Sequence, residues 1–169
     1  MAALSLWLDS YDDIYSDFDS RHYLKRRISE DFIDELKASL KYRTEHHDAL
    51  LLLLPAHLRN QEIEKEIAVS IREQMNSRLQ ALNDKLNAIR RRGIFMLLLG
   101  VLFMVTDAII VYRAYTAYFI IVLRIIMEPA GWFLIWNGLD FLIYNYRATK
   151  KEIFFYKTIT QLSLHFKDI

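Results

Sequence analysis

The chain has 169 residues, a formal net charge of +1 and no cysteine, and 53% of its residues are hydrophobic. The missing cysteine excludes disulfides, thiolate chemistry and cysteine-ligated metals, and the near-neutral charge argues against a general nucleic-acid-binding protein. The sequence contains no serine–histidine–aspartate spacing, glycine-rich phosphate loop or zinc signature. We therefore expect no enzymatic activity, no metal and no cofactor.

The N-terminal segment, residues 1–19, has apolar residues at helical spacing. They recur every three or four positions: Leu4, Trp7, Leu8, Tyr11, Ile14, Tyr15 and Phe18. This spacing predicts one face of an amphipathic helix. The opposite face carries aspartates, whereas helices that lie on a membrane surface usually carry Lys or Arg there. We therefore expect a helix docked on a cytosolic domain, with a membrane-surface helix as the alternative.

Two short elements are predicted before residue 60. Ser29 precedes the acidic pair Glu30 and Asp31 and then an apolar stripe, which predicts a capped helix ending near Glu45. Residues 49–54 are an unbroken apolar run closed by Pro55, and such a run is typical of a buried strand.

A long helix is predicted over residues 60–92, where apolar residues recur at helical spacing and no breaker occurs. At ~1.5 Å per residue it would be about 50 Å long. Its narrow apolar stripe must pack against other residues, and the rest of one chain is too short to bury the whole stripe. This favours a homo-oligomer. Gly93 is the predicted joint between this helix and the segment that follows.

Two apolar runs, residues 94–112 and 119–145, are joined by the short link 113–118. A bilayer core takes ~20 helical residues to cross, and backbone in lipid must satisfy its own hydrogen bonds. The runs therefore predict a transmembrane helical hairpin over residues 93–145, with spans 94–112 and 119–139. The alternative, a buried hairpin in a soluble protein, is disfavoured by the length of the runs.

Positive charge predicts the orientation of this hairpin. Basic residues flank it on both sides, whereas the link contains one, Arg113. The flanking residues are Arg90, Arg91, Arg92, Arg147, Lys150 and Lys151. By the positive-inside rule, we expect a multi-pass protein of the inner (plasma) membrane with both termini in the cytoplasm.

The C-terminal segment, residues 146–169, is predicted to form a helix and then a strand. Leu162, Leu164 and Phe166 alternate with polar residues, which indicates a strand with one buried face. We expect this strand to pair with residues 49–54. The expected fold is a mainly α membrane protein, in which segments 1–92 and 146–169 form one small α/β cytosolic domain around the hairpin.

Ionisable residues inside the predicted spans are costly in lipid and usually mark a function or a partner. Asp107 and Arg124 lie equally far from the link, about 9 Å along their helices at ~1.5 Å per residue, so they are expected to meet. Glu128 lies one turn deeper, within reach of Arg124. The candidate intramembrane polar residues are Glu128, Asp107, Arg124 and Asn137.

Two interpretations of these charges stay open. In the first, Arg124 neutralises Asp107 and Glu128 and locks the hairpin. In the second, Glu128 lines an aqueous path beside a kink at Pro129. The candidate hinges are Pro129, Gly131 and Gly93. Two spans cannot enclose a pore, so the second interpretation requires several copies around an axis.

The layout of a small cytosolic domain around a two-span hairpin resembles the small two-span membrane effectors of bacterial anti-phage defence systems. In those effectors a cytosolic ligand governs an oligomeric pore, so the resemblance implies a nucleotide or short oligonucleotide ligand. The candidate contacts are basic residues of the N-terminal segment: Lys25, Arg26, Arg27, Lys37, Lys41 and Arg43. The alternative for this cluster is a solvated surface near anionic lipid. The resemblance covers the layout alone, and no motif carries functional residues over.

The leading functional expectation is a homo-oligomeric membrane protein that forms a small ion channel or permeabilises the bilayer under control of its cytosolic domain. The alternative is a non-conducting anchor or scaffold subunit whose cytosolic domain binds another protein. A potassium-type channel is excluded, because the link is too short for a filter loop.

Overall fold

The computed structural model describes residues 2–42 and 47–168. Three strands form one parallel sheet in the order β1-β2-β3: β1 (Ala2–Trp7), β2 (His47–Leu54) and β3 (Ser163–Asp168). The helices are α1 (Glu30–Tyr42), α2 (Gln61–Tyr112), α3 (Tyr118–Asp140) and α4 (Tyr146–Gln161). A π-helical segment, Phe141–Asn145, joins α3 to α4. Two 3-10 turns, Tyr11–Ile14 and Ala56–Leu58, follow β1 and β2.

The chain divides into two compact units. The sheet unit comprises residues 1–80 and 153–169, and the hairpin unit comprises residues 81–152. The hairpin unit is inserted in the connection between β2 and β3. The expectation that N- and C-terminal segments together build a small α/β unit is therefore confirmed.

The predicted N-terminal helix is wrong, because this segment forms the edge strand β1 and a following 3-10 turn. Leu4, Leu6 and Leu8 are buried, whereas Ser5 and Trp7 are exposed, which is the period of a strand. The short segment fits both periodicities. Parallel pairing with β2 decides between them, since it satisfies the backbone of β1.

The predicted pairing of residues 49–54 with the C-terminal strand is confirmed. β2 and β3 run parallel in register from Ala49 opposite Ser163 to Leu54 opposite Asp168. One face of β2 is fully buried through Leu50, Leu52 and Leu54.

The other face of the sheet is only partly covered. It presents Leu51 and Leu53 of β2, which are half-buried, and Trp7 of β1, which is 70% exposed. His165 and Lys167 of β3 lie exposed on the same face. Parallel sheets usually have both faces covered, whereas the described residues cover this face only in part.

Helix α1 begins where the capping residue predicts. Ser29 Oγ accepts a hydrogen bond from the backbone N–H of Phe32 at 3.0 Å, and the acidic residues Glu30 and Asp31 occupy the first turn. Phe32, Ile33 and Leu36 are buried. The predicted end near Glu45 lies outside the described residues.

Helix α2 is one helix from Gln61 to Tyr112. Asn60 caps it, because its Oδ1 accepts a hydrogen bond from the backbone N–H of Glu62 at 2.9 Å. The helix passes through Gly93 without a break, so residues 61–92 and the first predicted span form one helix, and the role of Gly93 as a joint stays a prediction. Hydrogen bonding along a continuous helix outweighs the low helix propensity of a single glycine.

Two helical stretches, Gln61–Tyr112 and Tyr118–Gln161, are long and apolar enough to cross a membrane. Only 6% of the most apolar window in each is buried within the protein. The link between them reverses the chain at Ala114, whose φ of 53° lies in the left-handed region. The described residues thus include an apolar hairpin whose outer surface is uncovered by the rest of the chain.

Candidate functional site

Glycine pairs bring the two hairpin helices into backbone contact. The four glycines of the chain are Gly93 and Gly100 on α2 and Gly131 and Gly138 on α3. A Cβ added to Gly138 would lie 2.9 Å from the carbonyl oxygen of Gly93, and one added to Gly100 would lie 2.9 Å from the carbonyl oxygen of Gly131. Small residues permit apolar helices to approach this closely. Gly93 and Gly131, predicted as hinges, therefore lie in the helix contact.

An ion pair lies seven residues beyond the glycine pairs along each helix. One further step of seven residues along each helix leads from Gly100 to Asp107 and, in the opposite direction, from Gly131 to Arg124. Arg124 Nε donates a hydrogen bond to Asp107 Oδ1 at 2.8 Å. The carboxylate side chain is 14% exposed and the guanidinium side chain 35%. The expected contact between these two residues is present.

Glu128 is separate from this ion pair. Its side chain is exposed on α3, and it forms no ion pair with any residue in the described ranges. The expectation that Arg124 also neutralises Glu128 differs from the structure, where the guanidinium binds Asp107. Helix α3 continues through the neighbouring Pro129, so the described backbone has no break there.

The side-chain amide of Asn137 forms its hydrogen bond within its own helix. Its Nδ2 donates a hydrogen bond to the carbonyl oxygen of Phe133 at 2.8 Å. Thr106 on α2 does the same, donating from Oγ1 to the carbonyl oxygen of Leu102 at 2.8 Å. Both polar groups are thus compatible with an apolar surrounding, whereas Glu128 is a charged group of the apolar runs that forms no ion pair among the described residues.

Two of the predicted ligand-binding cations, Arg26 and Lys37, pair with different acidic residues. Arg26 forms an ion pair with Asp12 and lies 5.6 Å from the ring centre of Tyr15. Lys37 Nζ lies 2.9 Å from Asp34 Oδ1 on the same helix.

The other four candidate cations are Lys25, Arg27, Lys41 and Arg43. The side chains of Lys25 and Arg27 are exposed. Lys41 falls within α1, and Arg43 lies outside the described residues. Of the four candidates whose side chains are described, two pair with different carboxylates and two are exposed.

A polar cluster that the sequence pattern did not predict lies beside the C-terminal ends of the strands. Arg59 binds Glu64 with two hydrogen bonds, Nε to Oε1 at 2.8 Å and Nη2 to Oε2 at 2.9 Å, and it also pairs with Asp168 of β3. The Tyr11 hydroxyl donates to Glu64 Oε1 at 3.1 Å and accepts from the backbone N–H of Asn60 at 2.8 Å. This network joins segments that are distant in sequence.

The cluster shifts the pKa of its members. The hydrogen bonds from Arg59 lower the pKa of the Glu64 carboxyl, and those to Glu64 and Asp168 raise the pKa of the Arg59 guanidinium. Burial raises the pKa of the Tyr11 hydroxyl. The three shifts favour a charged Glu64, a charged Arg59 and a neutral Tyr11, which are the states that the hydrogen bonds require. The cluster therefore stabilises the fold at the start of α2.

Metal ligation has no support in the described ranges, which contain no group of three or more His, Asp or Glu residues arranged to hold an ion. No protein-family model, curated protein or solved structure matches the chain.

Proposed function

We propose that the chain is a homo-oligomeric integral membrane protein that conducts ions, or permeabilises the bilayer, under control of its sheet unit. The observation that carries this proposal is the exposed carboxylate of Glu128 on an apolar helix whose surface is largely uncovered. An ionisable group in lipid is costly and usually faces a partner or a water-filled path. Several copies around an axis would supply both a partner and a water-filled path.

A ring of Glu128 side chains would attract cations. Rings of acidic side chains are one of the ways in which pores select cations over anions. The Asp107–Arg124 pair favours this assignment to Glu128, because the two charges already neutralise each other inside each hairpin. Cyclic symmetry is the usual closed arrangement for such copies.

The proposed orientation has both termini in the cytoplasm, on the basis of the basic residues that flank the hairpin. The sheet unit would then lie on the cytoplasmic side of the plasma membrane. Helix α2 is one continuous helix that contributes residues to both the sheet unit and the hairpin unit. We propose this helix as the element through which a cytosolic signal acts.

Anti-phage defence and a nucleotide or oligonucleotide signal are proposed on the resemblance in layout. Two of the six basic candidates, Arg26 and Lys37, already pair with different carboxylates, so the nucleotide ligand rests on the resemblance in layout alone. The partly covered sheet face around Trp7, Leu51 and Leu53 favours a protein as the signal, because it is apolar at its centre.

Planar-bilayer recordings of the purified protein test the proposal. We expect single-channel currents with cation preference, and we expect Glu128→Gln to shift the reversal potential in a potassium chloride gradient towards zero. Glu152→Gln is the matched control, because it removes an exposed carboxylate outside the two apolar runs. Identical reversal potentials for wild type and Glu128→Gln would reject the role of Glu128, and absence of current in every reconstitution would reject conduction.

A second candidate function is a non-conducting membrane anchor that binds a cytosolic protein. The same partly covered sheet face favours it, as does the close packing of the two hairpin helices at their glycine pairs. Under this alternative no current is expected, and Trp7→Ser would weaken binding of the partner without changing insertion into the membrane.

A further inference from the structure

A basic groove lies on the hairpin unit, beside the end of α3. It has a volume of about 540 Å³, within the range of ~300–1,000 Å³ that small-molecule sites occupy. Three cations line it, Lys85, Arg91 and Arg92, together with the aromatic rings of Phe95 and Phe141. No carboxylate is among its lining residues. The groove therefore carries a concentrated positive charge next to apolar surface.

These three cations have no acidic partner in the part of the chain that the structure describes. Neither Lys85, Arg91 nor Arg92 forms an ion pair there. The Arg92 guanidinium lies 5.7 Å from the ring centre of Phe141, a distance at which a cation is attracted to the face of an aromatic ring. This contact holds one cation at the groove while its hydrogen-bond donors stay available to an anion.

The apolar side of the groove selects the kind of anion. Phe95 is 64% exposed, and the exposed apolar surface continues up the same helix through Leu98 (65%) and Leu102 (57%). These residues lie on one side of α2 because they follow a spacing of three and four. A small soluble anion would use only the cations. An amphiphile with an anionic head and an acyl chain would use both parts.

We propose that this groove binds an anionic phospholipid. Its phosphodiester lies between Lys85 and Arg92, and one acyl chain follows Phe95, Leu98 and Leu102. Arg92 is the principal phosphate ligand, because its planar donors match two phosphate oxygens at once. Basic clusters immediately inside a membrane attract anionic headgroups in the same way. The inference rests on insertion of the hairpin in a membrane, as proposed above, and is independent of ion conduction.

Binding of defined lipids to the purified full-length protein in detergent tests this site. Native mass spectrometry measures the affinity for dioleoylphosphatidylglycerol and, separately, for dioleoylphosphatidylcholine. We expect the anionic lipid to bind at least 10-fold more tightly than the zwitterionic one. The double variant Lys85→Gln/Arg92→Gln should lose roughly 10- to 30-fold of that affinity, at about 1 kcal/mol for each cation.

Two further variants keep the test decisive. Arg92→Lys preserves the charge but loses the planar donors, so it should lose less affinity than Arg92→Gln. Arg113→Gln removes one positive charge from the link at the other end of the hairpin, and it should leave the affinity unchanged. Unchanged phosphatidylcholine binding by each variant shows that it is folded.

Several results would overturn the lipid site. The first is a double variant whose affinity for phosphatidylglycerol lies within twofold of that of the wild type. The second is a loss of affinity in Arg113→Gln equal to that in the double variant. The third is binding of inorganic phosphate as tight as that of phosphatidylglycerol, which would identify a soluble anion as the occupant. Absence of current from the wild type would reject conduction and leave this site standing. Currents without selective lipid binding would reject the site alone.

Discussion

Arg124 donates a hydrogen bond to Asp107 in the same register that brings the glycines of α2 and α3 together. The contact between the helices thus consists of three layers at a spacing of seven residues, two of glycine pairs and one of opposite charges. The glycine layers allow close packing, and the charged layer penalises any shift of one helix along the other, because a shift would separate the two charges in a poorly solvating surrounding.

Replacing Arg124 with Leu should destabilise the hairpin. The Asp107 carboxylate would keep its poorly hydrated position and lose its counter-charge, and such a loss typically costs about 3–5 kcal/mol when both groups are buried. The side chains here retain 14% and 35% exposure, so we expect the lower end of that range. The measurement is thermal unfolding in detergent, together with oligomer size by light scattering.

The double variant Asp107→Leu/Arg124→Leu is the control for this experiment. It removes both charges and should recover much of the lost stability. If Arg124→Leu melts and assembles like the wild type, the ion pair does not hold the hairpin together.

Glycine substitutions should have unequal effects along the interface. A Cβ on Gly138 would approach the backbone oxygen of Gly93 to 2.9 Å and Leu97 Cγ to 2.8 Å, so the helices must move apart. A Cβ on Gly131 meets the side chain of Met104 first, at 3.0 Å, and a flexible methionine is able to move. We expect Gly138→Ala to lower the melting temperature by several degrees and Gly131→Ala to lower it much less.

Disulfide cross-linking across the hairpin checks the same prediction directly, since the natural chain contains no cysteine. Cysteines at positions 97 and 135 should cross-link more slowly in the Gly138→Ala background than in the Gly131→Ala background. Equal melting temperatures and equal cross-linking rates in the two variants would contradict a backbone contact at Gly138.

The sheet unit should lose stability in acid through Glu64. Because its pKa is lowered in the folded state, the carboxylate contributes stability above its unfolded pKa of ~4.5, and this contribution is lost as the pH falls through the folded pKa. Hydrogen bonds to a charged group are worth about 1.5–3 kcal/mol. Glu64→Gln should therefore be about 2 kcal/mol less stable than the wild type at pH 7.

Denaturant unfolding of the full-length protein, followed by circular dichroism from pH 3 to pH 8, measures this difference. The two proteins should converge as the pH falls through the folded pKa of Glu64. Asp34→Asn is a suitable control because the Asp34–Lys37 pair is exposed on α1. Parallel curves for wild type and Glu64→Gln over the whole range would show that the carboxylate is not the source of acid sensitivity.

Much of the chain was predictable from local pattern. The apolar runs that follow Gly93 are long enough, and sufficiently free of charge, to predict two long helices. The serine cap predicted α1, and the strict alternation near the C-terminus predicted β3. In each case the signal lies within one continuous segment, so no knowledge of distant residues was needed.

The N-terminal strand was not predictable in this way. Apolar residues in the first part of the chain fit a helix and a strand equally well. The deciding interaction is with β2, some forty residues later, which offers a parallel edge to the backbone of β1. The Arg59–Glu64 cluster was missed for the same reason, because the partners that enclose it, Tyr11 and Asp168, come from both ends of the chain.

The sequence by itself therefore determined two long apolar helices, a short link that makes them antiparallel, and an ionisable pair at equal depth on both. Tertiary structure decided which helix faces meet, because that depends on how closely two backbones approach. Only the structure showed that the glycines serve this approach, that Arg124 pairs with Asp107 and not with Glu128, and that Glu128 lies exposed on α3. The reason is physical: residue spacing defines the faces of a helix, whereas packing against another helix selects the face that is buried.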